Sequence, residues 1–307
     1  MPYRNCLSII RDAAGVPRSL WGYQPWPSPA FSTPRPGCVV CARHSRRRKL
    51  AWSGQRSSTG SSASCSPRTT TACSGATACC RSTRAWGFFD DPRFAAAYRE
   101  IAGSHRYDQY ASPHTVAWRL HILVWAARNG LALDGDFVEC GVFKGDFAWV
   151  VAQATDFVRQ PKTFYLYDTF DGFAPAYSTA DDFADAPGFF DFADRIYRDP
   201  AIYPEVVRRF SDCANIRVIR GVVPDILSDV APEQIAFLHI DLNSPAAEIA
   251  ALEILFDRVV PGGVIVFDDY GWHLFRKQKE AEDAFMAARG YHILELPTGQ
   301  GMVIKRP

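Results

Sequence analysis

The chain has 307 residues and is 48% apolar, which is enough for a sizeable core in one large domain or two small ones. Its net charge of +1 hides an asymmetry, because the first 86 residues carry 13 basic side chains and one acid, whereas the other 221 carry 21 basic and 32 acidic side chains. An acidic C-terminal part is a poor match for a phosphate backbone, so nucleic acid is excluded as its expected partner.

Residues 1–86 form a basic, low-complexity segment that we expect to be disordered or artefactual. Residues 53–85 contain no Val, Ile, Leu, Met or aromatic side chain, so they cannot bury a core. Arg outnumbers Lys twelve to one in the first 86 residues, as happens when a GC-rich gene is read out of frame. We therefore interpret residues 20–85 as a candidate frameshift or start-site artefact, which resequencing of the locus would test.

Three other interpretations of this segment stay open, namely a basic tail, a transit peptide and a zinc site. Cys38, Cys41 and His44 have a ligand-like spacing, but a second pair of ligands is missing. After residue 86 the cysteines are the isolated Cys140 and Cys213, which favours a reduced, cytoplasmic enzyme. No apolar run reaches 18 residues, so we expect no membrane span.

Two helices are predicted at the start of the remaining chain, residues 87–307. The first covers Pro92 to Ala102 and ends at Gly103. The second runs from Pro113 to Asn129, with Ser112 as its N-cap and Gly130 as its C-terminal stop. We expect this second helix to cover the cofactor edge of the following sheet. Its apolar residues recur at helical spacing: Val116, Leu120, Leu123, Val124 and Ala127.

Residues 131–307 alternate short apolar strands with helices. The strands are "DFVECGV", "TFYLYDTF", "IRVIRG", "IAFLHIDL" and "GGVIVFDD", and the intervening helices include "FAWVVAQATDFV", "PAAEIAALEILFDRVV" and "QKEAEDAFMAARG". This order predicts an α/β fold with a Rossmann-like, doubly wound parallel sheet. The end, "YHILELP", "TGQG" and "MVIKRP", predicts an antiparallel C-terminal hairpin, which is typical of class I methyltransferases and not of hydride-transferring dinucleotide folds.

The loop after the first strand is a candidate cofactor site. Glu139, Gly141 and Gly145 lack the G-x-G-x-x-G spacing that seats a pyrophosphate, and the acid suits a cationic cofactor such as S-adenosylmethionine. Asp168 ends the next strand, where a carboxylate can accept both ribose hydroxyls of an adenosine. Asp225, after the strand "IRVIRG", is a further cofactor-binding candidate. The alternatives are a glycine turn without a ligand and an Asp168 that only caps a helix or turn.

Acids end the fourth and fifth strands. Parallel neighbours deliver their carboxyl ends to one edge of a sheet, so Asp241, Asp268 and Asp269 should converge. Three neighbouring carboxylates repel one another unless they are protonated or bridged by a cation. Oxygen ligands with room for water suit Mg²⁺. The alternative is that Asp268 or Asp269 only caps the following helix.

The motifs "ECGVFKG", "YDTFDGF", "HIDLN" and "VPGGVIVFDDYGW" resemble, in this order, the macrocin O-methyltransferase family, which includes mycinamicin and novobiocin sugar O-methyltransferases. The resemblance covers residue 86 to the end. It implies S-adenosylmethionine and a divalent metal, usually Mg²⁺, that together methylate a hydroxyl, often on a deoxysugar. Glu139, Gly141 and Gly145 would form the cofactor loop and Asp168 would bind the ribose.

The same resemblance implies that Asp241, Asp268 and Asp269 hold the metal. The chain departs from the family at Asn243, where a second acid is common, so the geometry of the metal site is open. Asp241 is the first candidate for the catalytic base that takes the hydroxyl proton, and His273 is the second. His239 is expected to face away from these acids as a packed strand residue.

The predicted function is therefore methylation of a hydroxyl on a sugar or other small molecule, with no nucleic-acid or membrane partner and with a homo-oligomer left open. The insert at 171–215 is a predicted lid or substrate loop, with a merely solvated surface as the alternative. Two other functions stay open. One is a non-catalytic cofactor-binding module, and the other is an NAD-type oxidoreductase, although the phosphate-seating glycines are missing.

Overall fold

A computed structural model describes residues 87–102 and 113–307, with side chains in the second range from residue 116 onward. The predictions for residues 1–86, which include the artefact and the candidate zinc ligands Cys38, Cys41 and His44, lie outside the described residues. The same is true of the predicted N-cap at Ser112 and of the helix stop at Gly103.

The two predicted N-terminal helices are present. Helix α1 spans Pro92–Ala102 and helix α2 spans Pro113–Gly130. Asp91 caps α1, because its Oδ1 accepts from the backbone N–H of Arg93 at 2.9 Å and of Phe94 at 3.3 Å. The apolar stripe of α2 is buried as its periodicity predicted, and Leu120 and Leu123 are fully inaccessible. Helix α2 packs on strands of the sheet through this face, whereas α1 packs on the helix Asp146–Thr155.

The sheet has seven strands in the order β3-β2-β1-β4-β5-β7-β6. Strands β1 to β5 pair in parallel, whereas β7 is antiparallel to both β5 and β6. This confirms the predicted doubly wound sheet and its antiparallel C-terminal hairpin. The strands are β1 Asp136–Cys140, β2 Phe164–Asp168, β3 Ile216–Arg220, β4 Ile235–Ile240, β5 Val259–Phe267, β6 Leu294–Glu295 and β7 Gly301–Ile304.

Helices cover both faces of the sheet, as runs of fully buried strand residues require. On one face α1, α2 and α3 (Asp146–Thr155) share one apolar core with Phe137 and Phe237. On the other face α7 (Pro245–Leu255) and α8 (Arg276–Ala288) share a second core with Leu238 and Ile265. No helix in the described ranges combines the length and apolarity needed to cross a membrane. The remaining helices are α3 Asp146–Thr155, α4 Phe189–Tyr197, α5 Ile202–Arg209, α6 Leu227–Val230, α7 Pro245–Leu255 and α8 Arg276–Ala288.

The insert at 171–215 is folded. It contains α4, α5 and a short 3₁₀ helix, Ala180–Phe183. Its buried Phe173 and Phe183 form a small apolar cluster with Phe275, which lies directly before α8. The Ser244 hydroxyl also donates to the Tyr177 carbonyl at 2.7 Å. These contacts fasten the insert beside the carboxyl ends of the strands, and its role as a lid stays a prediction.

Candidate active site

A cavity of about 240 Å³ lies at the carboxyl ends of the parallel strands, where the strand order reverses between β1 and β4. This is where open α/β sheets bind ligands. The two strand ends are held together there, because the Asp241 N–H donates to the Cys140 carbonyl at 2.8 Å. The walls include acids, backbone of the glycine loop and aromatic rings: Asp168, Asp241, Asp269, Gly141, Phe143, Phe147, Phe170, Phe173 and Tyr197.

Gly141 is required where the loop after β1 crosses the end of β4. Its φ is +88°, and a Cβ atom would lie 1.8 Å from the Asp241 carbonyl oxygen. Gly145 has φ +72° directly before α3, and a Cβ atom there would lie 3.0 Å from the Phe210 ring. Backbone conformation and packing therefore explain both glycines without a ligand. Of the two, Gly141 lines the cavity, and cofactor binding by either stays a prediction.

Asp168 organises the cavity wall. Its Oδ2 accepts from the backbone N–H groups of Val142 at 2.7 Å and Phe143 at 2.8 Å, and its Oδ1 accepts from Phe170 N–H at 2.7 Å. The carboxylate thus joins the loop after β1 to the loop after β2. Asp168 therefore does act as a turn residue, which was the alternative interpretation. Ribose binding by its remaining lone pairs stays a prediction.

Three residues on the cavity wall have left-handed backbone conformations. Phe143 and Phe170 both have φ +48°, and Asn243 has φ +55°. Such conformations are unfavourable for side chains larger than glycine and cost on the order of 1–3 kcal/mol each. Strain of this kind concentrates at functional sites, so these loops are consistent with a ligand site.

The acids at the ends of β4 and β5 converge as predicted, but a side-chain cation lies between two of them. Arg119 of α2 bonds to both carboxylate oxygens of Asp268, and its Nη2 lies 2.8 Å from Asp269 Oδ1. The same Nη2 donates to the Asp268 carbonyl at 3.1 Å. On Asp241, the Oδ1 accepts from the Asn243 amide at 3.1 Å.

His239 lies among these acids, so the expectation that it faces away from them was wrong. It is fully buried, with Nδ1 3.6 Å from Glu139 Oε2 and Nε2 3.6 Å from Asp268 Oδ1. Ligand atoms of His239, Asp241 and Asp268 lie within 4.8 Å of one another. The reason is strand geometry, because residues two apart on a strand share a face.

The charges in this chain of groups stabilise one another. Burial alone would lower the pKa of His239, but Asp268 and Glu139 raise it to about 10. Burial would likewise raise the pKa of Asp268, yet Arg119 and His239 lower it to about 2. For Glu139, burial dominates and the pKa is raised despite His239. At neutral pH a protonated His239 therefore faces an ionised Asp268.

Asp241 and Asp269 have raised pKa values, in contrast to Asp268. Burial, together with the charges of Asp268 and Asp269, raises the pKa of Asp241 well above its ordinary range. Burial also raises the pKa of Asp269 to about 6, although the positive charge of Arg119 opposes this shift. Asp241 is thus a half-buried carboxyl on the cavity wall that binds a proton more tightly than an exposed acid does.

The structure does not bring every predicted site residue into the cavity. Glu139 is buried in β1 beside His239, below the cavity surface. Asp225 is exposed beyond β3, where its Oδ1 accepts from the Tyr177 hydroxyl at 2.5 Å. His273 is exposed, because the chain after β5 turns toward the C-terminal hairpin, with Gly271 N–H donating to the Gly299 carbonyl at 2.7 Å. Glu139, Asp225 and His273 are thus not among the residues that line this cavity, and their cofactor-binding and base roles stay predictions.

The loop after β1 offers no seat for a pyrophosphate. The N–H groups of Val142 and Phe143, which a phosphate would need, already donate to Asp168. At the N-terminus of α3, the buried Asp146 pairs with Arg209. The groups that would seat a pyrophosphate are therefore already bonded within the chain, which disfavours the oxidoreductase interpretation.

The family model described as Macrocin-O-methyltransferase (TylF) matches residues 118–294, more than half of the chain. This chain belongs to the macrocin O-methyltransferase family. It is similar to Mycinamicin III 3''-O-methyltransferase of Micromonospora griseorubida, with 30% identity over 157 residues, or 49% of this chain and 60% of that relative. It also resembles the O-methyltransferase NovP, at 20% identity and a TM-score of 0.52 over 62% of this chain and 80% of that one. The structural likeness supports the class I methyltransferase fold.

Two charged residues of this macrocin O-methyltransferase family member were missed as site residues, Arg119 and His239. Arg119 lies on the buried stripe of α2, three residues after Val116 and four before Leu123. A basic residue on an apolar stripe requires a buried partner, so this position was a usable signal. For His239, the signal was its spacing of two from Asp241.

Proposed function

We propose that this chain transfers a methyl group from S-adenosylmethionine to a hydroxyl oxygen of a sugar or other small molecule. The observation that carries the proposal is the acid-lined cavity at the switch point of a macrocin O-methyltransferase family fold. The mycinamicin relative supports a sugar as the acceptor. Its alignment covers 60% of that protein, so the acceptor of this chain is inferred by class.

The composition of the cavity supports a cationic cosubstrate. Asp168, Asp241 and Asp269 place carboxylates on one part of the wall, whereas Phe143 and Phe170 offer rings to an adenine and a ribose. S-adenosylmethionine carries a sulfonium and an ammonium but no phosphate, so it suits acids and does not need the N–H groups that Asp168 occupies. The residues present therefore fit this cosubstrate.

When bound, S-adenosylmethionine supplies a methyl group on a sulfonium, whose C–S bond breaks as the acceptor oxygen attacks, with the electron pair going to sulfur. The chain must hold the acceptor oxygen in line with that bond and accept its proton. Asp241 is suited to both tasks, because it lies on the cavity wall and its pKa is raised by burial and by Asp268 and Asp269. The proton moves from the hydroxyl to an Asp241 carboxylate oxygen.

The Mg²⁺ that the family resemblance implies does not fit the donors that are present. Asp268 is already bonded to a cation, because both of its oxygens accept from Arg119, and its Oδ1, which also accepts from Gln300 Nε2 at 2.9 Å, has no lone pair left for a metal. The third donor close to Asp241 and Asp268 is the nitrogen of His239, whereas Mg²⁺ prefers oxygen ligands. No step of the proposed reaction is assigned to a metal.

Methyl transfer from radiolabelled S-adenosylmethionine to a panel of deoxysugar-bearing small molecules tests the proposal. We expect one acceptor class to gain the label, and Asp241→Asn to lower the rate by at least about 100-fold through loss of the base. Asp257→Asn is the matched control, since the Asp257 side chain is 92% exposed on the surface.

Equal rates for Asp241→Asn and the wild type would exclude Asp241 as the base. If S-adenosylhomocysteine binds but no acceptor in the panel is labelled, the non-catalytic cofactor-binding module becomes the better interpretation. Binding of a nicotinamide dinucleotide in preference to S-adenosylhomocysteine would contradict the proposal.

A further inference from the structure

The acid cluster at the ends of β4 and β5 is already neutralised by the protein. The Arg119 guanidinium lies against Asp268 and Asp269, and its side chain is only 16% exposed. Its Nε is 3.3 Å from Asp268 Oδ1, and its Nη2 is shared between Asp268 and Asp269. A guanidinium with this geometry places its charge between two carboxylates, where a bridging cation would otherwise be required.

Two neighbouring amides also donate to these acids. Gln300, fully buried in the turn between β6 and β7, donates to Asp268 Oδ1, and the Asn243 amide donates to Asp241 Oδ1. An acid at position 243 would present oxygens where this chain presents an N–H group. Asn243 and Arg119 thus both present N–H donors to the acids at the ends of β4 and β5.

One edge of the guanidinium remains for a ligand. Arg119 lines the cavity, and its Nη1 donates to no acceptor among the residues that the structure describes. The central carbon of the Arg119 guanidinium lies 5.8 Å from the centroid of the Phe147 ring, and that ring stacks on His239. The orientation of Arg119 is therefore fixed by the acids on one side and by Phe147 on the other. Arg119 and the candidate base Asp241 therefore line the same cavity, and the Asp241 carboxylate belongs to the acid cluster that Arg119 contacts.

We propose that Arg119 is the resident cation of this site, taking the place of a divalent metal and directing its Nη1 toward the acceptor oxygen. The inference rests on the proposed function for the identity of that oxygen. A charge-assisted N–H···O bond would stabilise the developing oxyanion while Asp241 removes the proton. Methyl transfer by this chain would then proceed in the absence of divalent ions.

Metal binding can be measured independently of methyl transfer. The full chain is freed of metal with EDTA and titrated with Mn²⁺, monitored by electron paramagnetic resonance, and with Mg²⁺ by calorimetry. The wild type is expected to show no saturable binding at millimolar ion. Arg119→Gln exposes Asp268 and Asp269 and should bind Mn²⁺ at least about tenfold more tightly than the wild type, in the range of weak oxygen-ligand sites. Arg119→Lys keeps the charge and should behave as the wild type does.

Arg128→Gln is the matched control, since Arg128 belongs to the same helix but pairs with Asp91 at the surface, and it should leave Mn²⁺ binding unchanged. Saturable Mn²⁺ or Mg²⁺ binding by the wild type that Asp268→Asn abolishes would overturn the proposal. So would a folded Arg119→Gln that gains no affinity for the ion. If Arg119→Gln does not fold, the wild-type titration and the melting temperature of Arg119→Ala test the proposal instead. A melting temperature of Arg119→Ala that Mg²⁺ raises supports it, and one that Mg²⁺ leaves unchanged contradicts it.

S-adenosylhomocysteine calorimetry, with and without EDTA, separates this inference from the proposed function. Binding that is unaffected by EDTA supports both. Absent binding in both conditions contradicts the methyltransferase function, while the Mn²⁺ titration still reports on Arg119. Binding that EDTA abolishes contradicts the arginine proposal alone.

Discussion

Replacement of Gly141 by alanine tests whether this glycine serves the fold before it serves a ligand. The added Cβ would lie 1.8 Å from the Asp241 carbonyl oxygen and 2.5 Å from its carbon, so the loop after β1 must move away from β4. Two buried hydrogen bonds would weaken, from Gly141 N–H to the Tyr167 carbonyl and from Asp241 N–H to the Cys140 carbonyl, both at 2.8 Å.

Each buried hydrogen bond contributes about 1 kcal/mol or somewhat more, and an alanine at φ +88° adds about 1 kcal/mol of backbone strain. We therefore expect Gly141→Ala to lower the free energy of unfolding by about 3–4 kcal/mol. Gly188→Ala isolates the strain, because Gly188 has φ +84° and no atom lies within 4 Å of the position that its Cβ would take. That variant should lose only about 1 kcal/mol.

Urea denaturation of the wild type and both variants, followed by circular dichroism, gives the comparison. The predicted difference between the two variants is about 2–3 kcal/mol. A difference below about 1 kcal/mol would refute the account of Gly141 as a packing requirement. In that case the loop glycine would be explained by its ligand alone.

Three further predictions concern charged groups. Asp168→Asn should lower the free energy of unfolding by about 1–3 kcal/mol and weaken S-adenosylhomocysteine binding measured by calorimetry, because an amide cannot accept three backbone N–H groups at once. An unchanged affinity would exclude Asp168 from the cofactor site. His239 should stay protonated up to about pH 9, since its neighbours raise its pKa to about 10, so its stabilising contribution is complete below pH 6.5 and is lost as pH rises through 10. Nitrogen NMR shifts of a neutral imidazole at pH 7 would contradict this. Burial raises the pKa of Glu282 from 4.5 to about 7, although the neighbouring Glu248 and Gln278 side chains oppose the shift. The contribution of Glu282 to stability is therefore present below pH 4.5 and is lost as pH rises through 7. Glu282→Gln should remove this loss, up to about 3 kcal/mol at pH 8, and a pH–stability curve identical to that of the wild type would contradict the prediction.

The fold was predictable because its determinants are local. Apolar runs rich in Val, Ile and Phe, separated by amphipathic helices, allow few arrangements other than a doubly wound sheet. The direct succession of "YHILELP", "TGQG" and "MVIKRP" leaves too few residues for a crossover helix, which predicts the antiparallel hairpin. Strand direction then brings Asp241, Asp268 and Asp269 to one edge.

The rest of the site depends on contacts between segments distant in sequence. Arg119 and Asp268 are 149 residues apart, and Gln300 reaches Asp268 only because the hairpin folds back along β5. Sequence position alone also suggested Asp225 and His273, which follow strands that point at the cavity. Both are exposed and are not among the residues that line the cavity, so their roles stay predictions.

Calorimetric titration of S-adenosylhomocysteine into the EDTA-treated wild-type chain tests the central claim most directly. We predict saturable binding at one site with a dissociation constant in the range of roughly 1 to 100 μM, weakened by Asp168→Asn and unaffected by added Mg²⁺. The absence of a saturable signal, or its replacement by binding of a nicotinamide dinucleotide, would contradict the assignment of this cavity to methyl transfer.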